Sequence, residues 1–234
     1  MIDKIIAIIT QYFPSLREKN RSIIISYLTL RKLIGILGML LPIICIIGGL
    51  IFWEFSIQRS ISYYYHTNMR DFFVGLLFCV SMFLITYRGY EKIDDIITTV
   101  SGIASWFIAF FPCSFDGDSS RLVSIIQIKS CTSNIIHLTS ASIFFFLLAI
   151  NSIFLFTLSD KPQSEISEGK KFRNKIYIGC GIAILLSLVF IPVLYIVLGE
   201  ERIVQYKIFL IFEAIMLLAF GISWLVKGRT LFQD

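Results

Sequence analysis

Long apolar runs limit the folds open to this chain more than any other feature. Six stretches of mostly apolar residues occur at 33–55, 71–88, 95–112, 135–158, 176–198 and 207–226. An α-helix of about 20 such residues crosses a bilayer hydrocarbon core of about 30 Å. Only 16% of the residues are charged, against about a quarter in soluble domains. The sequence therefore predicts an all-α polytopic membrane protein, a bundle of six transmembrane helices.

The first 30 residues differ from the rest because their apolar run is too short to cross a membrane. Its apolar residues recur at helical spacing: Ile2, Ile5, Ile6, Ile8, Ile9, Tyr12 and Phe13. This pattern predicts an N-terminal interfacial amphipathic helix in a cytoplasmic arm over residues 1–30, with a frayed arm as the alternative. A six-helix transmembrane domain at 31–228 and a short cytoplasmic tail at 229–234 complete the predicted organisation.

The positions of lysine and arginine predict the orientation in the membrane. Fifteen of the 21 lie in the two termini or in the second and fourth connections between apolar runs. Because cytoplasmic loops carry the excess of these residues, both termini are predicted to lie in the cytoplasm, with the protein in the inner membrane. The net charge of +5 then reflects topology and attraction to anionic lipid. We therefore expect membrane lipids and no nucleic acid as partners, and the sequence identifies no protein partner.

A polar stretch at the start of the second apolar run, residues 62–75, brings chemically active side chains to the membrane boundary. A helix beginning at Tyr63 would place His66 and Arg70 on one face, four residues apart. The alternative for Arg70 is snorkelling to the phosphate level, and for Asp71 an ordinary acid at a helix N-terminus. The combination nevertheless indicates a candidate site.

Two patterns of small residues predict close helix packing. On the second helix, Asp71, Gly75 and Cys79 form a stripe against which a neighbouring helix could pack. The third helix carries a seam of small residues on one face: Thr98, Ser101, Gly102, Ser105 and Ala109. Small residues favour such contacts because they let two backbones approach closely.

The two histidines of the chain are predicted at the same depth on the same side of the membrane. His137 opens the fourth helix and shares a face with Ser140, as His66 opens the second. Glu213 lies about 9 Å inside the last helix. Ionisable residues at such positions usually face the bundle interior, so His66, Asp71, His137 and Glu213 are expected to converge.

The connection between the third and fourth helices is bracketed by two cysteines. Cys113 and Cys131 are predicted to face an oxidising compartment, in which they could form a disulfide. Cys45, Cys79 and Cys180 lie within apolar runs and are interpreted as small hydrophobic residues. No Cys-x-x-Cys spacing of the zinc-binding kind is present.

One function compatible with these residues is a metal-dependent lipid hydrolase of the outer leaflet. His66, His137 and Asp71 would be the catalytic residues and metal ligands, with Glu213 as an alternative third ligand and Arg70 holding a phosphate. Zinc is then the candidate cofactor, because catalytic zinc takes three protein ligands and keeps one position open for water. No other cofactor is indicated, and whether the protein is an enzyme stays open.

The function favoured by the sequence is binding of a lipid or small molecule in a polar pocket near the outer leaflet. Its candidate ligand-binding residues are Arg70, Tyr65, Ser140 and Glu213. A proton-coupled transporter that uses Glu213 and a histidine is a further alternative. The same groups could also satisfy one another for stability alone, in a structural or regulatory membrane protein.

Several motifs resemble an uncharacterised family of small bacterial multi-pass membrane proteins. They are Tyr64-Tyr65-His66-Thr67 with Arg70-Asp71, Phe73-Val74-Gly75, Tyr87-Arg88-Gly89-Tyr90, His137 with Ser140-Ala141, and Gly221-Ile222-Ser223-Trp224-Leu225-Val226-Lys227-Gly228. The resemblance extends from about residue 30 onward and implies fold and location, not activity. A more distant likeness is to ceramidase-type membrane hydrolases. Those enzymes place three histidines, an aspartate and a serine around zinc in seven helices, whereas this chain has two histidines and six predicted helices.

Overall fold

The structure, a computed structural model, describes residues 16–52, 56–89, 91–115, 120–159 and 166–228. Its α-helices, numbered in chain order, are α1 Leu16–Phe52, α2 Arg70–Thr86, α3 Lys92–Phe110, α4 Ser130–Ile150, α5 Glu168–Gln205 and α6 Ile208–Lys227. A 3-10 helix, Ser62–His66, precedes α2, and a π-helix, Asn151–Leu155, continues α4. Strands β1 Leu122–Val123 and β2 Ile128–Lys129 form an antiparallel hairpin. The predicted all-α class is confirmed.

Five helical stretches are long and apolar enough to cross a membrane: Tyr27–Phe52, Lys92–Phe110, Ser130–Leu155, Glu168–Gln205 and Ile208–Lys227. Each overlaps one of the six predicted spans. Helix α2 has 17 residues, which is at the short end of what a span requires. The chain is thus a helical membrane protein with five clear candidate spans, and the sixth span stays a prediction.

Helix α1 is longer than a bilayer requires. Its 37 residues extend about 55 Å at 1.5 Å per residue, so part of it projects beyond the hydrocarbon core. The described part of the predicted arm, residues 16–30, is continuous with the first span. The predicted interfacial helix at residues 2–13 and the tail at 229–234 lie outside the described residues.

The helices form a closed ring. Each packs on its neighbours in chain order, and α6 packs on α1. One end of the bundle carries the 3-10 helix, the hairpin and the junction of α5 with α6, and is called here the hairpin end. The opposite end, where α6 finishes, is called the Trp224 end. Few helix contacts cross the ring, and residues toward the hairpin end line a space inside it.

Small residues set the closest helix contacts. A Cβ atom added to Gly35 would lie 2.8 Å from the carbonyl oxygen of Gly221, and one added to Gly221 would lie 2.7 Å from that of Gly35. Between α2 and α3, Ser81 Oγ donates to the Gly102 carbonyl at 2.6 Å. The predicted seam is confirmed, since all five of its residues are buried: Thr98, Ser101, Gly102, Ser105 and Ala109.

The packing stripe predicted on α2 is wrong. Asp71, Gly75 and Cys79 are all exposed, and a Cβ atom added to Gly75 would have nothing within 4 Å. Helix α2 instead buries a different face, which carries Phe73, Leu77, Val80, Ser81 and Leu84. Burial of these side chains determines the rotation of α2 and turns Asp71 away from the ring.

A buried arginine ties three helical segments together at the Trp224 end. Arg31 is only 3% exposed, and its Nη2 donates to Tyr27 Oη at 2.6 Å and to Tyr87 Oη at 3.0 Å. Its guanidinium also lies 4.1 Å from the centroid of the Tyr27 ring. Tyr87, in turn, packs edge-on against Trp224. These contacts satisfy a charge that would be costly if buried without partners.

Candidate functional site

A cavity of about 470 Å³ lies inside the ring toward the hairpin end. Apolar side chains from all six helices, such as Leu41, Phe73 and Met216, form much of its wall. Its polar lining residues are Arg59, Ser60, Ser62, Tyr63, Cys113, Ser114, Asn134, His137, Ser142, Tyr195, Glu200 and Glu213. Both the volume and the mostly apolar wall with a few polar groups are typical of small-molecule and lipid sites.

One side of the cavity is built from Phe111–Ser114, called here the exit segment, which follows the end of α3. Its carbonyl oxygens have no helical partners, and irregular backbone at membrane depth must be satisfied by other groups. Four consecutive carbonyls accept side-chain hydrogen bonds: Phe111 from His137 Nδ1 at 2.8 Å, Pro112 from Ser133 Oγ at 2.8 Å, Cys113 from His66 Nε2 at 2.9 Å and Ser114 from Arg59 Nη2 at 3.1 Å. Both histidines therefore help to hold the exit segment.

His137 keeps one ring nitrogen for another partner. A carbonyl oxygen only accepts hydrogen bonds, so the nitrogen that contacts Phe111, Nδ1, carries the proton. In the neutral ring Nε2 is then an acceptor. The side chain is 1% exposed and lines the cavity. Its ring also contacts the backbone of Ile108, and Nε2 has no hydrogen-bond partner of good geometry among the described residues. A buried acceptor of this kind requires a donor from water or a ligand.

His66 lies among aromatic side chains and does not line the cavity. Its ring lies 5.3 Å from that of Tyr63, 5.4 Å from that of Tyr65 and 5.0 Å from that of Phe115, between centroids. Burial lowers the pKa of His66 from its ordinary value of 6.5, the hydrogen bond to Cys113 raises it, and neighbouring arginines lower it further. The surroundings therefore favour the neutral ring, with its Nε2 proton donated to the Cys113 carbonyl.

Glu213 reaches the cavity from α6 and binds the start of the 3-10 helix. The backbone nitrogen of Ser62 donates to Glu213 Oε2 at 3.1 Å, and Ser62 Oγ donates to Oε1 at 3.4 Å. The backbone of Ile61 donates to the same carboxyl group. Helix N-termini carry unsatisfied N–H groups, so an acid from another helix is a suitable partner there.

The predicted convergence of four side chains is only partly observed. His137 and Glu213 share the cavity, whereas His66 and Asp71 do not line it. The single helix predicted from Tyr63 is also wrong. Thr67 is extended, with φ −118° and ψ 179°, and it separates His66 from α2. His66 and Arg70 therefore do not share a helical face.

Three predicted ligand-binding residues lie elsewhere. The exposed Arg70 donates to Tyr65 Oη at 2.8 Å, and its guanidinium lies 4.5 Å from the centroid of that ring. These two side chains thus contact each other at the surface. Ser140 is buried in α4 but is not among the cavity-lining residues. Of the predicted ligand-binding set, Glu213 alone lines the cavity.

The predicted metal site does not form in the part of the chain that the structure describes. No group of three histidine, cysteine, aspartate or glutamate side chains lies close enough there to hold a metal ion. Asp71 is exposed, and each histidine is oriented by a backbone carbonyl of the exit segment. The zinc ligand set of His66, His137 and Asp71 is therefore not assembled, because α2 turns its acid outward.

The predicted disulfide is likewise not present in the structure. Cys113 and Cys131 are not joined. Cys113 Sγ lies 3.9 Å from His66 Nε2, and Cys131 Sγ lies 4.0 Å from Oγ1 of its neighbour Thr132. The hairpin between the two cysteines, rather than a covalent bond, organises this connection: Arg121 accepts at its carbonyl a hydrogen bond from the backbone of Ser130 at 2.8 Å.

Sequence reasoning missed two polar residues that shape the site. Asn134 lines the cavity, and its Oδ1 accepts from the backbone nitrogen of Ser114 at 3.0 Å. Its position three residues before His137 could have placed it on the same helical face. Arg59 also lines the cavity, and its guanidinium lies 4.3 Å from the centroid of the Tyr63 ring. No local pattern distinguishes it.

Comparisons with known proteins do not assign the chain to a family. No family model, curated protein or solved structure matches the chain. The resemblance to a family of small bacterial membrane proteins therefore stays a prediction, and the function must be argued from the cavity.

Proposed function

We propose that this protein binds a lipid or small molecule in the cavity at the hairpin end. The observation that carries the proposal is the combination of a 470 Å³ space with a buried histidine nitrogen that lacks a partner within the described residues. A pocket of this size binds drug-sized ligands through an apolar wall and a few orienting polar groups. Here those groups are His137 Nε2, the Glu213 carboxyl and Asn134.

We further propose that the helices cross the inner membrane six times, with both termini in the cytoplasm. Helix α2 supports a sixth span because it packs between α1 and α3 within the same ring. The distribution of lysine and arginine supports the orientation. The hairpin end, and with it the cavity, then lies near the outer leaflet.

Binding accounts for the site better than metal-dependent hydrolysis does. Catalytic zinc requires three protein ligands, and the described ranges bring no such set together. His66 and His137 instead donate to carbonyl oxygens of the exit segment. Their positions support a role in building the cavity wall, with His137 also presenting an acceptor to a ligand.

Analysis of bound molecules tests this proposal. Protein purified in mild detergent is examined by native mass spectrometry, and its organic extract is analysed for lipids and small molecules. Ala141, on the cavity wall, is replaced by Phe; Ile143→Phe, at an exposed position of α4 outside the cavity lining, is the matched control. We expect a bound molecule in the native protein and in Ile143→Phe, and its loss in Ala141→Phe. Equal retention by all three proteins would place the ligand elsewhere.

A further inference from the structure

The cavity opens sideways between α4 and α5. One face of α4 carries, in order, Leu138, Ser142, Phe145 and Ala149 at helical spacing, and Ser152 follows in the π-helix that continues α4. Toward the Trp224 end this face is buried, with Ala149 at 0% and Ser152 at 1% exposure. Toward the hairpin end Leu138 is 56% exposed, and both Leu138 and Ser142 line the cavity. This face of α4 is therefore packed near the Trp224 end and becomes exposed toward the cavity.

Helix α5 shows the same change along its facing side. Tyr177 is 2% exposed and Ile184 0%, Leu188 is half-buried, and Tyr195 is 43% exposed while lining the cavity. Pro192, which also lines the cavity and is exposed, lies in the half of α5 toward the hairpin end. A proline within a helix removes a backbone hydrogen bond, and farther along α5 the backbone leaves helical geometry at Gly199, with φ 77° and ψ 164°.

The two helices pack closely in their halves near the Trp224 end. There Ser152 Oγ donates to the Tyr177 carbonyl at 2.8 Å. A Cβ atom added to Gly181 would lie 3.0 Å from the Ala149 carbonyl oxygen. Moreover, only 17% of the apolar stretch of α5 is buried, against 44% in the other four candidate spans. Helix α5 is thus the loosely packed wall of the ring.

The opening faces the apolar outside of the bundle. Exposed side chains beside it include Ile135 on α4 and Val189, Val193 and Ile196 on α5. In a membrane these side chains contact hydrocarbon, so the opening leads from the cavity into the lipid phase. A ligand that extends through the opening has two parts. Its apolar part lies in or outside the opening, and its polar part lies at the inner end of the cavity, where the polar residues are.

The polar end selects the chemistry of that polar part. His137 Nε2 accepts hydrogen bonds only, since its partner nitrogen Nδ1 carries the ring proton. The carboxyl groups of Glu213 and Glu200 add acceptors to the lining, and Arg59 adds one cation. These groups match a headgroup that has hydroxyl or ammonium hydrogens together with a phosphate or ester oxygen.

Resting on the proposed function, we infer that the ligand is a membrane lipid with a donor-bearing headgroup, which enters between α4 and α5 and donates to His137 Nε2. Phosphatidylethanolamine and phosphatidylglycerol have such donors. Phosphatidylcholine, with the same phosphate and the same acyl chains, has none. A lipid that leaves Nε2 without a donor incurs the cost of an unsatisfied buried acceptor.

Native mass spectrometry of the full chain in mixed micelles tests this inference. Each micelle contains dioleoyl phosphatidylethanolamine, phosphatidylglycerol or phosphatidylcholine. We expect one bound molecule of either donor lipid and roughly tenfold weaker binding of phosphatidylcholine, since 1.4 kcal/mol corresponds to tenfold. His137→Asn retains an N–H donor for Phe111, and its shorter side chain places no acceptor at the position of Nε2, so it should bring all three lipids to the same affinity. If that variant fails to fold, the preference of the native protein decides.

The route of entry is tested with a blocked opening. Ser142→Trp should weaken binding of the donor lipids at least tenfold, while Thr139→Trp, exposed on α4 and outside the cavity lining, should not. Equal binding of phosphatidylcholine, or a preference that persists in His137→Asn, would overturn the inference. If soluble glycerophosphoethanolamine competes as well as the lipid, the cavity binds a small molecule and only the lipid assignment fails. If no probe binds, the proposed function fails as well.

Discussion

Ser62 and Glu213 lie 151 residues apart in the chain and are joined by two hydrogen bonds, from the backbone nitrogen and the hydroxyl group of Ser62 to the two carboxyl oxygens. This contact ties the 3-10 helix before α2 to the last helix of the ring. It also fixes part of the cavity wall, because Ser62 and Glu213 both line the cavity. The carboxyl group of Glu213 thus holds the start of the 3-10 helix in place.

Glu213→Ala should destabilise the protein by about 2 kcal/mol, since it leaves buried N–H groups without an acceptor. Glu213→Gln keeps one carbonyl oxygen for Ser62 and should cost less. The free energy of unfolding is measured by titration with dodecyl sulfate in mixed micelles. Glu201→Ala, at an exposed position, is the control and should lie within about 0.5 kcal/mol of the native protein. Equal effects of Glu213→Ala and Glu201→Ala would contradict the structural role.

His66 should make stability depend on pH. Burial, and then the nearby Arg59, Arg121 and Arg70, lower its pKa below 6.5, against the raising effect of the hydrogen bond to Cys113. The unfolded chain therefore binds more protons as the pH falls below about 6.5. The contribution of His66 to stability is complete above that pH and is lost as the pH falls toward the folded pKa.

The corresponding measurement compares thermal unfolding in detergent at pH 7.5 and pH 5. His66→Gln keeps an N–H donor for the Cys113 carbonyl but does not titrate, so its midpoint should fall less on acidification than that of the native protein. An equal fall in both proteins would assign the pH dependence to other groups.

The contact between Gly35 and Gly221 predicts a position-specific effect of alanine. In Gly221→Ala the new Cβ atom would lie 2.7 Å from the Gly35 carbonyl oxygen, so α1 and α6 must separate, at a cost of about 1–3 kcal/mol. Gly75→Ala is the matched control, because space around Gly75 is open and alanine favours the helix by up to about 1 kcal/mol. Unfolding titrations should give opposite signs, and similar losses for both would refute the close contact.

The predicted orientation can be read from Cys131, which is exposed at the hairpin end. In a variant with the other four cysteines replaced by alanine, a membrane-impermeant maleimide added to intact spheroplasts should label Cys131. Ser167→Cys, in the same background with Cys131 also replaced, lies exposed at the Trp224 end and should react only after lysis. The reverse pattern of labelling would invert the topology.

The apolar runs predicted most of the helices because a bilayer requires each span to satisfy its own backbone and to present apolar side chains. Their bounds agree with the structure within a few residues for α2, α3 and α6. The small-residue seam of α3 was also predictable, since hydroxyl groups and glycine at helical spacing have few uses other than close packing. By contrast, the stripe through Gly75 has similar spacing but faces outward.

The candidate site was less predictable because its residues come together over long sequence separations. Position along a helix follows from counting residues, and it predicted His137 and Glu213 toward the same end of the bundle, where both line the cavity. Rotation about the helix axis does not follow from counting, and it turned Asp71 outward and His137 inward. The break at Thr67 also separated His66 from Arg70, through hydrogen bonds that no periodic pattern contains.

Composition and periodicity were thus sufficient to identify a helical membrane protein and most of its helices, since these depend on local chain properties and on the bilayer. The ring closure of α6 on α1, the cavity and the donors that hold the exit segment depend on which helix faces meet. Those choices arise from the packing of side chains distant in sequence, and from the need of each buried carbonyl for a donor that its own segment does not supply.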